Sequence, residues 1–210
     1  MRCPLNFPVH AAGALSEAVL AEGFSAFDQL AEYVRSLPFG RTASNTDPLA
    51  VLQERRGTCS AKHQLLAAVA HECRHPEVQL TVGIYEMCEQ NTPGVGAVLS
   101  AASLSSIPEA HCYLTVGGER FDFTGLSSGS SSPFDALLSE HVVSPDVLPQ
   151  SKVRLHMQAI ASWAATVGLS AASAWATREA CIAALAANPS IEGTCSGGLR
   201  PPTHAPHVKR

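Results

Sequence analysis

The chain has 210 residues, of which 46% are hydrophobic, and a formal net charge of −4 at pH 7. This length and composition predict one folded domain and exclude collagen-like, coiled-coil and disordered proteins. The mild acidity also argues against a nucleic-acid partner, because phosphate contacts need clustered Lys and Arg.

The first half of the chain predicts three helices. Residues Ser25 to Leu37 place apolar side chains at helical intervals, and a Pro and a Gly follow. Residues Asp47 to Glu54 predict a short helix. A longer helix is expected from Cys59 to about Cys73, with Thr58 as its N-cap and Cys59 facing inward in the first turn.

Three strands are expected next. Apolar and polar residues alternate from Val78 to Tyr85, which is typical of a half-buried strand. A second strand is predicted from His111 to Val116 and a third from Glu119 to Thr124. The two glycines between them, Gly117 and Gly118, fit a two-residue type I′ turn. Before this hairpin, residues 86–108 form a long connection without a clear pattern, which we expect to border a cleft as a cover.

The register of the hairpin brings a histidine next to an aspartate. With a two-residue turn, Leu114 faces Phe121 and Tyr113 faces Asp122. His111 is then the diagonal neighbour of Asp122 on the same face, about 7 Å away. This spacing allows a hydrogen bond between an imidazole and a carboxylate.

The C-terminal third predicts two more helices and a tail. The helices are expected near Val153 to Val167 and Ser170 to Ala187, and they account for a long uncharged stretch better than a membrane span does. We therefore expect a single domain over residues 1–190, no association with a membrane, and a flexible tail over residues 191–210.

The cysteines indicate the redox compartment. The chain has seven of them, an odd number at wide spacings. The start of the chain also lacks the basic and apolar regions of a signal peptide. The sequence therefore predicts a reduced, cytoplasmic protein.

Together these features predict a nucleophilic cysteine. A helix N-terminus and a nearby imidazole both favour a thiolate. Cys59 has the helix position, His111 would act as the general base, and Asp122 would orient His111. The backbone N–H of Cys59 and, more weakly, the side chain of Gln53 are the expected donors to an oxyanion.

These segments resemble the transglutaminase-like superfamily, and in particular its small bacterial members. The resemblance implies a papain-like α+β fold in which the Cys-bearing helix packs on a small antiparallel sheet with additional flanking helices. It also implies a catalytic triad of Cys59, His111 and Asp122 that acts on an amide, an ester or a thioester. The residues that carry the resemblance are Arg56–Ser60 (RGTCS), His111–Val116 (HCYLTV), Phe121–Phe123 (FDF), Leu37–Arg41 (LPFGR), Gly57–His63 (GTCSAKH) and Arg178–Ile182 (REACI).

Three more residues are weaker candidates for substrate binding. Arg41 lies just beyond a predicted helix end, where it could bridge structural elements or clamp a substrate carboxylate. His63 follows Cys59 by one turn and is expected at the helix edge, where it could steer a substrate carbonyl. Tyr113 shares the predicted face of His111.

Two other motifs are better explained as structure. His71, Cys73 and His75 alternate at a helix end and would not converge on one tetrahedral metal ion, so no metal site is expected. The stretch from Gly125 to Gly129 matches the G-x-S-x-G pattern. A nucleophile elbow needs a strand that leads directly into a helix, however, so Ser127 is expected in a surface loop.

The sequence thus predicts cysteine-dependent acyl transfer or hydrolysis without a cofactor. Expected substrates are a peptide, a protein side-chain amide, or a small amide or ester. The alternative is a catalytically inactive transglutaminase-like module that binds a peptide or protein partner. The oligomeric state stays open.

Overall fold

A four-stranded antiparallel sheet organises the fold. The computed structural model describes residues 4–126 and 129–187. Within them the sheet has the order β3-β2-β1-β4. Its strands are β1 (Gln79–Met87), β2 (Ile107–Val116), β3 (Glu119–Phe121) and β4 (Leu137–Val143).

Helices flank this sheet, so the predicted α+β class is confirmed. The five predicted helices are present, and α1 and α5 are additional. The helices of the described residues are α1 (Ala14–Ala21), α2 (Phe27–Ser36), α3 (Ala50–Glu54), α4 (Cys59–Glu72), α5 (Gly96–Ala101), α6 (Leu148–Thr166) and α7 (Ala171–Ala187).

The hairpin between β2 and β3 has the predicted register. Gly117 and Gly118 both have positive φ, 57° and 87°, as a type I′ turn requires. Leu114 pairs with Phe121. However, β3 ends at Phe121 instead of Thr124, because the backbone of the next residues bonds to side chains of α4. The part of β2 before Leu114 is therefore not paired with β3, and α4 packs against β2 there.

Two elements differ from the sequence-based expectation. The sequence pattern does not predict strand β4, whose apolar Leu138 and Val142 are exposed instead of buried. The connection between β1 and β2, expected over residues 86–108 without regular structure, is shorter. Strand β1 extends to Met87 and β2 begins at Ile107. The connection also contains α5, whose Leu99 is buried in a hydrophobic cluster.

The core explains why α4 holds its position. Burial of apolar surface is the main stabilising term in such a domain. Leu66 and Val69 of α4 are fully buried in one cluster with Leu80, Val82 and Leu114 of the sheet. A second cluster joins β1 to α5, α6 and α7. Helix α4 is thus fixed against β1 and β2, with its N-terminus next to the free edge of β2.

No single helix among the described residues is long and apolar enough to cross a membrane. Two consecutive helical segments, Pro145–Thr166 and Ala171–Ala187, reach the required length and hydropathy together, but they are bent by 116°. The expected tail over residues 191–210 and the loop residue Ser127 lie outside the described residues.

Candidate active site

Cys59 begins helix α4. The side chain of Thr58 caps the helix by accepting the N–H of Ala61 at 3.4 Å. The first N–H groups of a helix have no partner within it, so those of Cys59 and Ser60 point out of this end. Cys59 retains 8% of its accessible surface. The thiol therefore lies at the positive end of a helix, in a residue that is buried except for this small accessible fraction.

His111 and Asp122 are in direct contact. Nε2 of His111 lies 2.8 Å from Oδ2 of Asp122, and the N–H of Thr124 donates to the other oxygen of this carboxylate at 2.8 Å. The thiol of Cys59 lies close enough to the ring of His111 to raise the pKa of that ring. Since Nε2 faces Asp122, Nδ1 is the ring nitrogen left for the sulfur.

These contacts shift the pKa values in the direction of an ion pair. Burial opposes charge on His111, but the carboxylate of Asp122 raises its pKa to about 10. Burial also opposes charge on Asp122, but His111 holds the pKa of that carboxyl well below its usual range. The neighbouring thiol of Cys112 lowers the pKa of Cys59, and the charges of Lys152 and His111 lower it further, although burial opposes them. The favoured state is therefore a thiolate next to an imidazolium.

Lys62, one turn beyond Cys59, is fully buried. Its ammonium donates to the carbonyl of Leu37 at 2.6 Å and to that of Thr124 at 2.7 Å. Burial lowers its pKa to about 8, although Asp122 and Cys59 oppose this shift. Lys62 therefore ties the end of α2 to the chain segment that follows Asp122.

His63 is also fully buried, and it was expected at the helix edge. Its Nδ1 lies 2.8 Å from the carbonyl oxygen of Cys59, and its Nε2 accepts the N–H of Phe123 at 2.8 Å. Both ring nitrogens are thus occupied by backbone groups. The structure therefore places His63 as a support of the site, and a role in steering a substrate carbonyl stays a prediction.

Three residues that the sequence analysis did not name complete the surroundings of the thiol. Lys152 of α6 donates to Oγ of Ser60 at 2.8 Å and to Sγ of Cys59 at 3.6 Å. The thiol of Cys112, next to His111 on β2, donates to Oγ of Ser60 at 3.5 Å. Cys59 therefore faces two cations, the ammonium of Lys152 on α6 and the imidazolium of His111 on β2.

One signal could have pointed to Lys152. The chain has only three lysines against eleven arginines, so lysine is scarce. Two of the three, Lys62 and Lys152, lie at this site. Lysine is a compact point charge whose pKa shifts readily on burial, which sets these two residues apart from the arginines.

The remaining candidates lie apart from the thiol. Gln53 is exposed on α3. The side chain of Arg41 is 74% exposed and approaches Glu179 of α7 at 3.6 Å. Tyr113 is buried, and its hydroxyl donates to Glu140 of β4 at 2.5 Å. A role of these three in substrate binding stays a prediction.

The alternating set at the end of α4 is used structurally. The ring of His75 bonds to Glu77 at 2.8 Å and stacks on Phe7, and the thiol of Cys73 donates to the carbonyl of His10. Across residues 4–126 and 129–187, no group of three or more His, Cys, Asp or Glu side chains could hold a metal ion.

Comparison with known proteins adds no relative. The chain matches no protein-family model, no curated protein and no solved structure. The function has to be inferred from the residues and their geometry.

Proposed function

We propose that this protein is a cysteine-dependent acyl-transfer enzyme of the transglutaminase-like, papain-like type. Its triad would consist of Cys59 as nucleophile, His111 as general acid and base, and Asp122 as the residue that orients His111. The observation that carries the proposal is the 2.8 Å contact between His111 and Asp122, with the thiol of Cys59 at a helix N-terminus close enough to the same ring to raise its pKa.

In the first half-reaction the Cys59 thiolate attacks the carbonyl carbon of an amide, ester or thioester. The C–S bond forms and the carbonyl electron pair moves to the oxygen. The free N–H groups of Cys59 and Ser60 lie at the helix end where this oxyanion would develop. His111 then gives its proton to the leaving group, the bond to that group breaks, and a neutral His111 and a thioester remain.

In the second half-reaction water or an amine attacks the thioester. His111 takes a proton from the nucleophile, the C–S bond breaks, and the thiolate and the imidazolium return. Asp122 keeps the ring in the tautomer that both steps need. None of these steps requires a cofactor, and a reduced cytoplasm would keep Cys59 as a thiol.

The alternative is a transglutaminase-like module that binds a peptide or protein partner without turnover. One observation favours catalysis. The pKa shifts of Cys59, His111 and Asp122 all favour the charged forms that chemistry needs. A site used only for binding has no need of a stabilised thiolate.

Selective alkylation followed by turnover tests the proposal. Iodoacetamide at pH 6 should modify Cys59 before Cys88, although Cys88 is the more exposed of the two. Peptide mapping by mass spectrometry identifies the modified residue. The protein should also hydrolyse an activated ester or thioester with a burst equal to one acyl group per chain, and Cys59→Ser should abolish the burst.

The outcomes separate the two functions. Modification of Cys59 together with a burst supports acyl transfer. If Cys59 is alkylated selectively but no ester, thioester or peptide amide is turned over, the binding module is supported. If Cys59 reacts no faster than Cys88, the inference that Cys59 is a thiolate is wrong.

A further inference from the structure

The thiol of Cys59 has a second cation that a Cys-His-Asp triad does not require. Lys152 reaches it from α6, an element that carries no member of the triad. Its ammonium donates to Oγ of Ser60 at 2.8 Å and to Sγ of Cys59 at 3.6 Å. Ser60 thus holds the ammonium in place beside the sulfur.

The anion that balances Lys152 is the sulfur itself. Glu109 acts on Lys152 electrostatically, but this carboxylate already accepts two hydrogen bonds of 2.6 Å from Arg178. A half-buried ammonium without its own anion is costly. Ionisation of Cys59 supplies that anion at a distance where the two charges attract strongly.

We propose that Lys152 is a further catalytic residue, whose ammonium maintains the Cys59 thiolate independently of His111. This inference rests on the proposed function. In a site with only an imidazolium, loss of the histidine returns the thiol to ordinary behaviour. Here the thiolate should persist when His111 is neutral or absent.

The same position is useful during the reaction. As the sulfur attacks, its negative charge moves to the carbonyl oxygen, which is bonded to the carbon that the sulfur joins. The ammonium neither gives nor takes a proton, and it stays beside the charge as the charge moves. His111 alone transfers the proton to the leaving group. Lys152 thus works as a fixed charge and His111 as the acid and base.

Any measurement of the thiol has to consider all the titratable groups around it. They come from α4, β1, β2, the segment after β3, α6 and α7. These groups are Lys62, His63, His111, Cys112, Asp122, Lys152, Tyr85, Glu109 and Arg178.

The test measures the rate of iodoacetamide alkylation at Cys59 between pH 4 and pH 10, by peptide mapping of the full chain. This readout needs no substrate. The variants are Lys152→Gln, which keeps a donor for Ser60 without charge, Lys152→Arg, which keeps the charge, His111→Gln, and the double variant His111→Gln with Lys152→Gln. Arg154→Met is the matched control, because it removes an exposed cation from the same helix.

Lys152→Gln should move the alkylation midpoint to higher pH and lower the rate at pH 6 by about tenfold for each pH unit of the shift. Lys152→Arg and Arg154→Met should keep the original midpoint. His111→Gln should keep a midpoint well below 8, whereas the double variant should approach the ordinary thiol value of about 8.5.

The proposal is overturned if Lys152→Gln keeps the original profile, or if His111→Gln alone brings the midpoint to about 8.5. If Lys152→Gln fails to fold, the single His111→Gln variant decides between these outcomes. Failure of the proposed function gives a different result. The alkylation profile would still depend on Lys152, but the protein would turn over no acyl substrate.

Discussion

His63 accepts the backbone N–H of Phe123 through Nε2 at 2.8 Å, although the two residues are 60 positions apart in the chain. A nitrogen that accepts cannot carry a proton, so Nδ1 carries it and donates to the carbonyl of Cys59 at 2.8 Å. One neutral imidazole thus connects the backbone of Cys59 to the residue after Asp122. The separation of Cys59 from the His111–Asp122 pair depends on this ring.

Replacing His63 should therefore affect both stability and the site. His63→Ala leaves a buried N–H and a buried carbonyl without partners, which should lower the free energy of unfolding by about 2 to 4 kcal/mol. Urea denaturation measures this. His71→Ala is the control, because His71 is exposed on the same helix. Equal stability of the two variants would contradict the bridging role.

The pH dependence of unfolding should report the same ring. Burial lowers the pKa values of His63 and His156. The unfolded chain binds a proton at each near pH 6.5, which the folded chain refuses. The free energy of unfolding should therefore fall as the pH drops below about 6.5, by at most about 1.4 kcal/mol per pH unit for each histidine.

This acid slope can be assigned with one variant. Between pH 6 and 5, His111 is protonated in both states and Asp122 is ionised in both, so neither contributes, whereas the Cys59 thiolate adds a slope of the same sign. His63→Gln should reduce the slope in this range by up to about a third. A slope identical to that of the unmodified protein would mean that His63 is not the buried neutral group.

Asp122→Asn should separate proton transfer from thiolate formation. Without the carboxylate, His111 loses its orienting partner, and acyl turnover should fall by about 10³-fold to 10⁴-fold, as in serine triads with the wrong tautomer. Alkylation of Cys59 should fall much less, because Lys152 remains. Asp135→Asn, a change at an exposed carboxyl, should alter neither rate.

The same variant should change stability at alkaline pH. The pKa of His111 is raised to about 10 in the folded chain, so its contribution is complete below about pH 6.5 and is lost as the pH rises through about 10. Asp122→Asn should lack most of this decline. A decline of the same size in both proteins would show that the pair does not stabilise the fold.

The sequence predicted the parts of the site that depend on local geometry. Thr58 caps the helix that starts at Cys59, and two glycines with positive φ set the pairing of Leu114 with Phe121. Both follow from residues within a few positions of each other. The diagonal neighbours His111 and Asp122 follow from this pairing as well.

The residues that support the site could not be predicted in this way, because the sequence does not identify the groups that they bond to. His63 and Lys62 bond to backbone groups, which every residue carries, so no complementary side chain identifies them. Lys152 is 93 positions from Cys59, and only the packing of α6 brings the two together. Strand β4 lacks the usual burial of its apolar residues, since Leu138 and Val142 are exposed.

Gly125, three residues after Asp122, should not tolerate a side chain. Its φ is 78°, and a Cβ would collide with the carbonyl oxygen of Arg35. Gly125→Ala should cost about 2 kcal/mol for the positive φ and more for the clash. Gly118→Ala is the matched control, because its φ is 87° and nothing lies within 4 Å. Urea denaturation should show a clearly larger loss at Gly125, and equal losses would contradict the close contact.

The buried ion pair between Glu109 and Arg178 should stabilise the strand that carries His111. Two hydrogen bonds of 2.6 Å join these side chains, which are only 8% and 11% exposed. Glu109→Gln leaves the Arg178 charge with only the half-exposed Glu179 as its partner and should lower the free energy of unfolding by about 3 kcal/mol. The double variant Glu109→Gln with Arg178→Met should lose less, because no unpaired charge remains.

An exposed pair offers the comparison that decides this last point. Arg120 and Glu140 lie 2.6 Å apart but are 38% and 36% exposed, so Arg120→Ala should change stability by at most about 1 kcal/mol. Glu109 precedes His111 by two residues on β2, so Glu109→Gln should also slow acyl turnover, and Arg120→Ala should not. If Glu109→Gln costs no more stability than Arg120→Ala, the buried pair does not hold β2, and the position of His111 has to depend on Asp122 and the sheet alone.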